Sequence, residues 1–387
     1  MYNVTDDIIY IGVNDNNIDL FEGLYSVPDG VTYNSYLIKD EKVAVTDTVD
    51  GAYIDEWLNN IKAVLGDKSP DYLIVHHMEP DHSAGIARFI AAYPAAKIVG
   101  NSKTLVMIKE YFGCEPQNFL TVGEGATLSL GKRALKFVMA PMVHWPEVMV
   151  TYDSYDKAVF SADAFGSFGT TFGGNYTDEM RRYYIGIVGK YGVQVQGLLK
   201  KLSLLEVDKI LPLHGRVLTD NVSSYISLYD TWSSYKPEKS AVMVAYASIY
   251  GHTAQAAKQL AEKLKAAGTE VFISDLARTD WAQNVALAFA CDRLVLASVT
   301  YNAEIYPPMR EFIDKLCERG YKNRTVGFIE NGTWAPMSAK LMRDRLAPCK
   351  NLTFTENTVK VRGALNSDNA AELDGLCTEL LRLGGSL

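Results

Sequence analysis

The sequence predicts an α/β protein of two domains, the second a doubly wound, five-stranded parallel sheet. Three observations predict it. At 387 residues the chain is too long for one ordinary hydrophobic core and suits two. Residues 231–240 are polar, include Pro237 and lack periodicity, which reads as a linker and divides the chain into domains 1–235 and 236–387. Beyond that linker, apolar runs alternate regularly with helical patterns, as strands and covering helices do in a parallel sheet.

Taken in order, the first half alternates short β-rich segments (8–11, 43–46, 72–75) with stretches of helical spacing at 55–65 and 83–92. In the second half the expected strands are 242–246, 271–273, 294–297, 326–329 and a run near Val359. The clearest helix, 253–267, places Ala257, Leu260, Ala261 and Leu264 on one face and stops before Gly268. A last helix, capped by Ser367, carries Leu373, Leu376, Leu380 and Leu381.

Composition narrows the function. With 48% hydrophobic and 22% charged residues the chain reads as globular, and a net charge of −8 argues against nucleic acid or an anionic membrane as partner. The acidic N-terminus lacks the basic and apolar regions of a signal peptide, and no apolar run approaches the roughly 20 residues that span a bilayer. A cytoplasmic protein is expected. The five cysteines (Cys114, Cys291, Cys317, Cys349, Cys377) are scattered and never form C-x-x-C, so they read as inert thiols, and any metal must be held by nitrogen and oxygen.

Four potential ligands crowd one six-residue stretch: His77, Glu79, Asp81 and His82, directly after the apolar run 72–75. Carboxylates and imidazoles packed so tightly at a strand end repel or compete unless a cation organises them. Downstream, His144, Asp163 and His214 follow further β-rich runs, and four of the chain's six histidines fall in this set. A two-metal site is the reading. Strand alternation points His76 away from His77, into a supporting role.

The second domain offers another constellation. After its first strand come Ser248, Ile249, Tyr250, Gly251, His252 and Thr253, opening a helix. Hydroxyls, a glycine and a helix N-terminus make a cradle for a monophosphate, since neither a P-loop lysine nor G-x-G-x-x-G is present. After the third strand come Thr300, Tyr301, Asn302 and Ala303; after the fourth, Asn331, Gly332, Thr333 and Trp334. Tyr301 and Trp334 are flat stacking partners, and all three loops fall at the ligand-binding ends of the strands.

On these motifs the second half resembles flavodoxin, whose first loop binds the FMN phosphate while two later loops flank the isoalloxazine ring. The first half resembles the metallo-β-lactamase fold, an αβ/βα sandwich whose usual signature is H-x-H-x-D-H; Glu79 stands in place of the second histidine. An H-x-E-x-D-H variant joined to a flavodoxin-like domain is similar to the flavodiiron proteins over essentially the whole chain. The resemblance implies FMN and two irons as cofactors: one iron on His77, Glu79 and His144, the other on Asp81, His82 and His214, with Asp163 bridging. It places Trp145 near flavin and sets His252 where asparagine is common. Tyr183 and Tyr184 are candidate donors lining the iron pocket.

The activity so implied is reduction of dioxygen to water and/or nitric oxide to nitrous oxide. Electrons would pass through FMN from a separate donor, rubredoxin or reduced coenzyme F420. The implied assembly is a head-to-tail homodimer, with a tetramer of dimers as an alternative. Trading imidazole for carboxylate makes the site harder and more anionic, which suits a metal that cycles through a trivalent state. The competing reading is a metal-dependent hydrolase of the metallo-β-lactamase superfamily with an accessory flavin domain.

Overall fold

A computed structural model describes residues 1–113, 115–173 and 176–384. Cys114 lies outside the described residues. The chain forms two compact units, Met1–Asp230 and Thr231–Leu387. The expected linker is shorter than read from sequence. The helix Val222–Ser233 runs into it and the strand Lys239–Ala247 starts inside it, leaving 234–238 irregular. Trp232 explains the difference: its buried ring and its indole N–H, donated to Glu238 at 2.6 Å, fix a segment that its polarity marks as loose.

In the first unit two sheets face one another. One has seven strands, in the order Tyr2–Asn3, Ile8–Tyr10, Tyr36–Ile38, Ala44–Thr46, Tyr72–Ile74, Lys97–Gly100, Phe119–Thr121. Its first four strands pair antiparallel and the rest parallel. The other has five: Thr127–Ser129, Ala134–Met139, Met149–Asp153, Ala158–Phe160 and Lys209–Leu211. Ile8, Ile38, Ile74 and Val99 from the first meet Leu135, Phe137, Met149, Phe160 and Leu211 from the second in one core. Burying apolar faces against each other is what makes a two-sheet sandwich stable.

Helices cover the sheets. Ile54–Leu65 buries Trp57 and Ile61, and Trp57 donates its indole N–H to Ser35 Oγ at 2.9 Å. The single helix expected over 83–92 is two, Pro80–Ser83 and Ile86–Ala92, broken at Ala84 and Gly85. The break has a hydrogen-bonding cause: Thr48 takes main-chain groups that a continuous helix would pair internally, accepting from the Gly85 N–H at 3.0 Å and donating its N–H and Oγ1 to the His82 carbonyl at 2.8 and 2.9 Å. Gly85 also packs so closely on Thr48 that a Cβ would lie 2.9 Å from its side chain.

The second unit is a five-stranded parallel sheet in the order Glu270–Asp275, Lys239–Ala247, Cys291–Tyr301, Thr325–Asn331, Thr353–Val361, with Glu304–Ile305 paired antiparallel at one strand end. This is the doubly wound order 2-1-3-4-5, so the switch point lies between the first and third strands, beside the three loops singled out above. The helix His252–Ala266 buries Ala257, Leu260, Ala261 and Leu264 as its spacing predicts. The last helix, Ser367–Arg382, differs in two details. Its N-cap is Asn366, whose side chain accepts from the N–H groups of Asp368 and Asn369. Leu381 is exposed, because the buried stripe follows Leu373, Leu376, Cys377 and Leu380.

Candidate metal centre and cofactor cavity

Strand ends of both facing sheets deliver the candidate ligands. Tyr72–Ile74 leads into His77, Glu79, Asp81 and His82; Ala158–Phe160 leads into Asp163; Lys209–Leu211 leads into His214. His144 sits on the connection between Ala134–Met139 and Met149–Asp153. Two donor clusters result, His77 with Glu79, His144 and Asp163, and Asp81 with His82 and His214.

Asp163 is shared between them. Its Oδ2 lies 3.3 Å from His77 Nε2 and 2.9 Å from His144 Nε2, and Glu79 Oε2 lies 3.2 and 3.1 Å from the same two nitrogens. Its Oδ1 faces the other cluster, 3.4 Å from His82 Nε2 and 3.8 Å from His214 Nε2. Asp81 Oδ2 is 3.3 Å from His82 Nε2 and 3.2 Å from His214 Nε2, and the two Nε2 atoms are 2.9 Å apart.

These separations fit cations. Donors about 2.1 Å from one ion at 90–110° stand roughly 3.0–3.4 Å apart, the edge lengths seen here. Both carboxylate oxygens of Asp81, together with Asp163 Oδ1, are buried without a hydrogen-bond partner among the described residues. A buried carboxylate oxygen with no donor is costly, and a bound cation removes that cost.

Without a cation, protons do the same work. Burial opposes charge on His144, but Asp163 and Glu79 lift its imidazole to about 9. Burial likewise opposes charge on His77, yet Asp163, Glu147 and Glu79 hold it well above the ordinary histidine range. Asp163 is correspondingly held well below the usual carboxylate range by His77, His144 and His82 against the effect of burial. The folded value of His144, about 9, exceeds the roughly 6.5 of an unfolded histidine, so this pairing stabilises the metal-free fold fully below pH ~6.5 and fades as pH rises through about 9. A cation bound there must displace those protons. Metal uptake by metal-free protein is therefore expected to release protons and to tighten as pH rises across that window; titration calorimetry in buffers of different ionisation heat counts them, and uptake without proton release contradicts this arrangement.

Several supporting residues escaped the sequence reading. Glu147 Oε1 accepts from His77 Nδ1 and from the Met78 N–H, both at 2.8 Å, and so turns His77 Nε2 inward. His214 Nδ1 donates to the Thr32 carbonyl at 2.7 Å. Asp47 accepts from the N–H groups of His76 and His77 at 2.7 and 3.3 Å, while His76 bridges Asp47 and Thr151 at 2.5 and 2.7 Å, away from both clusters. The Glu22 carboxyl, on the turn after Leu20–Phe21, is pushed up to about 7 by desolvation and then by the charge of Glu79. Only Glu147 left a signal, as an acid three residues after the candidate ligand His144. Glu147→Gln is expected to weaken metal binding about 10–100-fold with the fold intact, read by competition with a chelator.

Tyr183 is buried against His214, with ring centroids 5.4 Å apart, and its hydroxyl has no hydrogen-bond partner among the described residues. Tyr184 instead packs edge-on against Tyr229, with centroids 4.8 Å apart. Trp145 stands edge-on to His77 at 5.1 Å.

In the second unit the three singled-out loops meet around a cavity of about 830 Å³, within the range of cofactor sites. Ser248, Ile249, Tyr250, His252, Thr253, Thr300, Tyr301, Asn302, Ala303, Asn331, Gly332, Thr333 and Trp334 all line it. Gly251 does not, but it is the N-cap of His252–Ala266 at φ +92°, a conformation glycine adopts without strain. The Gly251 N–H donates to Ser248 Oγ at 3.2 Å, and the first turn of the 15-residue helix turns its free N–H groups toward the loop. Two expected side chains are partly committed to the fold: Asn331 bonds Gly363 through both amide atoms, and Thr300 Oγ1 accepts from the N–H groups of Met337 and Ser338. Trp334 and Tyr250 are 83% and 89% exposed, flat faces that suit a planar ring. Tyr306, Met337 and Gly363 also line the cavity and carried no sequence signal.

A two-sheet metal-binding unit followed by a flavodoxin-like sheet with a phosphate cradle defines a two-cofactor redox protein of the α/β class. Family models agree on both parts: an ODP family beta lactamase over residues 31–215 and a flavodoxin domain over 243–369. The chain is 30% identical over 359 residues to an uncharacterised protein of Methanocaldococcus jannaschii, covering 91% of this chain and 90% of the relative. It is 28% identical to the flavo-diiron protein FprA2 of Clostridium acetobutylicum (91% and 92% covered) and 29% identical to a nitric oxide reductase of Moorella thermoacetica (90% and 90% covered). The rubredoxin oxygen:oxidoreductase of Desulfovibrio gigas superposes with a TM-score of 0.91 at 26% identity, over 98% of this chain and 97% of that one. The chain belongs to the flavodiiron protein family, and is an oxidoreductase whose cofactors are FMN and a diiron centre.

Proposed function

We propose that this enzyme reduces dioxygen to water and/or nitric oxide to nitrous oxide, with residues 1–235 holding the irons and 236–387 the FMN. The observation that carries the reading is the division of Asp163 between two donor clusters, one oxygen to each. One iron would be held by His77, Glu79 and His144 and the other by Asp81, His82 and His214, with Asp163 common to both. Once bound, the irons offer two adjacent positions for a diatomic gas and FMN supplies electrons singly or in pairs.

The chain's own residues supply the rest. Glu79 adds negative charge where a hydrolase of this fold would use imidazole, which favours a metal that reaches the trivalent state and disfavours the hydrolase alternative. Glu147, Thr32 and Asp47 hold His77, His214 and the ligand loop in place before any metal arrives. Tyr183 keeps a buried phenolic proton beside the second cluster, its ionisation resisted by burial and by the charges of Asp163, Asp81 and Glu79. We assign it as a donor toward the reduced oxygen atoms.

The Moorella relative is named a nitric oxide reductase and the Desulfovibrio structure a rubredoxin oxygen:oxidoreductase, which supports both gases as substrates and rubredoxin as donor, with reduced coenzyme F420 as the alternative. A head-to-tail homodimer would bring one subunit's FMN to the other's iron. No helix among the described residues is long and apolar enough to cross a membrane, and we propose a cytoplasmic location. The test is iron and flavin analysis of anaerobically purified protein, followed by dioxygen and nitric oxide consumption with reduced rubredoxin and with reduced F420. Bound zinc with no gas consumed from either donor overturns the proposal.

A further inference from the structure

The helices that leave two of the flavin-lining loops converge at their far ends on a pair of cysteines. Cys317 is the penultimate residue of Pro307–Glu318, and Cys349 follows Ser338–Arg345. Their Sγ atoms lie 3.3 Å apart although 32 residues separate them in sequence. Both are partly exposed, unlike Cys291 and Cys377, which are buried. We propose that Cys317 and Cys349 are a redox-modification site that closes reversibly to an intrachain disulfide.

The surrounding main chain is already held in register for closure. Gly320 N–H donates to Cys317 O at 3.1 Å and Cys349 N–H to Leu346 O at 2.9 Å. Just beyond, Lys322 and Lys350 form a parallel bridge, Asn323 N–H donates to Lys350 O at 3.2 Å, and Asn351 Nδ2 to Asn323 Oδ1 at 3.1 Å. A disulfide needs its sulfurs at about 2.05 Å, so the remaining approach is of side-chain scale and leaves these backbone bonds in place.

The two sulfurs share a single contact in which either can donate, and Cys317 Sγ also lies 3.6 Å from the Arg345 carbonyl. Both are partly exposed, so either thiolate can open an exchange and the other resolve it; with Cys317 first, Cys349 resolves. The oxidant class is a low-molecular-weight disulfide, RSSR. Cys317 sulfur attacks one of its sulfurs, forming a mixed disulfide and releasing the first thiolate. Cys349 then loses its proton and attacks Cys317 sulfur, forming the intrachain bond and expelling the second. The net change is two protein thiols plus RSSR to one protein disulfide plus two RSH.

The clamp falls at the amino-terminal side of the sheet, opposite the cofactor cavity, but both helices start at the cavity side. Ser338–Arg345 is tied to the third-strand loop through the Met337 and Ser338 N–H groups on Thr300 Oγ1, at 2.9 and 3.1 Å. Oxidation should accordingly restrain the loops that enclose the flavin. Full-length, FMN-loaded protein equilibrated anaerobically with oxidised glutathione should yield one peptide cross-link, Cys317 to Cys349, reversed by dithiothreitol. Flavin fluorescence on heating should show release at a higher temperature from the oxidised form, a difference that Cys349→Ser abolishes. The same variant should trap a glutathione adduct on Cys317 while keeping gas-reductase activity. Free alkylation of both cysteines after equilibration, or cross-linking of either to a different cysteine, would overturn the proposal.

Discussion

Asp163→Asn should empty both metal positions and lower gas reduction by more than about a hundredfold, while FMN content stays at the wild-type level. The amide keeps the shape of the side chain but places one neutral oxygen where two anionic ones are shared. In the structure Oδ2 belongs with His77 and His144, and Oδ1 with His82 and His214. An Asn side chain can present an oxygen to only one cluster and turns N–H donors toward the imidazoles of the other. Even supporting groups around a metal ligand are worth about 10–100-fold in affinity, so if Asp163 serves both ions as proposed, its removal sets a floor above that. Iron quantitation per chain and FMN absorbance after anaerobic purification measure the two outcomes separately. Iron at wild-type stoichiometry would show that Asp163 does not bridge.

Arg133→Ala should cost the first unit about 3–5 kcal/mol of stability and leave the flavin unit's unfolding unchanged. The Arg133 side chain is fully buried and donates to Asp153 at 2.6 Å, Asp156 at 2.7 Å and Asp7 at 2.8 Å. Its backbone N–H adds a bond to Asp40 at 2.9 Å. Asp7 and Asp40 flank strands of the seven-stranded sheet, whereas Asp153 and Asp156 lie at a turn of the five-stranded one. One guanidinium thus cross-links the two sheets at their rim. Truncation strands the Asp153 carboxylate, which is itself fully buried, without its counter-charge. Urea unfolding followed by intrinsic fluorescence reads the loss, and adding Asp153→Asn should restore part of it because the stranded charge is gone. A loss below about 1 kcal/mol would mean that water reaches the cluster.

What could be read from residue order was whatever repeats or crowds. The five parallel strands and the buried stripe of His252–Ala266 follow from apolar spacing, and the ligand hexapeptide from the density of acids and imidazoles. Three kinds of feature could not be read. Main-chain partners such as the Thr32 carbonyl behind His214 have no residue type to betray them. The helix break at Gly85 comes from hydrogen bonds to Thr48, which is 37 residues away in sequence. The meeting of Cys317 with Cys349 likewise depends on where two helices end, whereas their spacing marks them only as scattered thiols. Polarity also misled at the linker, where a single buried tryptophan outweighs its neighbours.

The proposed ligands are spread from His77 to His214, an interval of 137 positions (214 − 77). The strand that leads into the last of them, Lys209–Leu211, docks beside Ala158–Phe160 near the end of its unit. During synthesis, then, no shorter nascent chain contains a complete pair of donor clusters, and iron can be fully loaded only after nearly the whole first unit has left the ribosome. On this ligand assignment, loading of both irons would come after the fold of the first unit rather than during its synthesis.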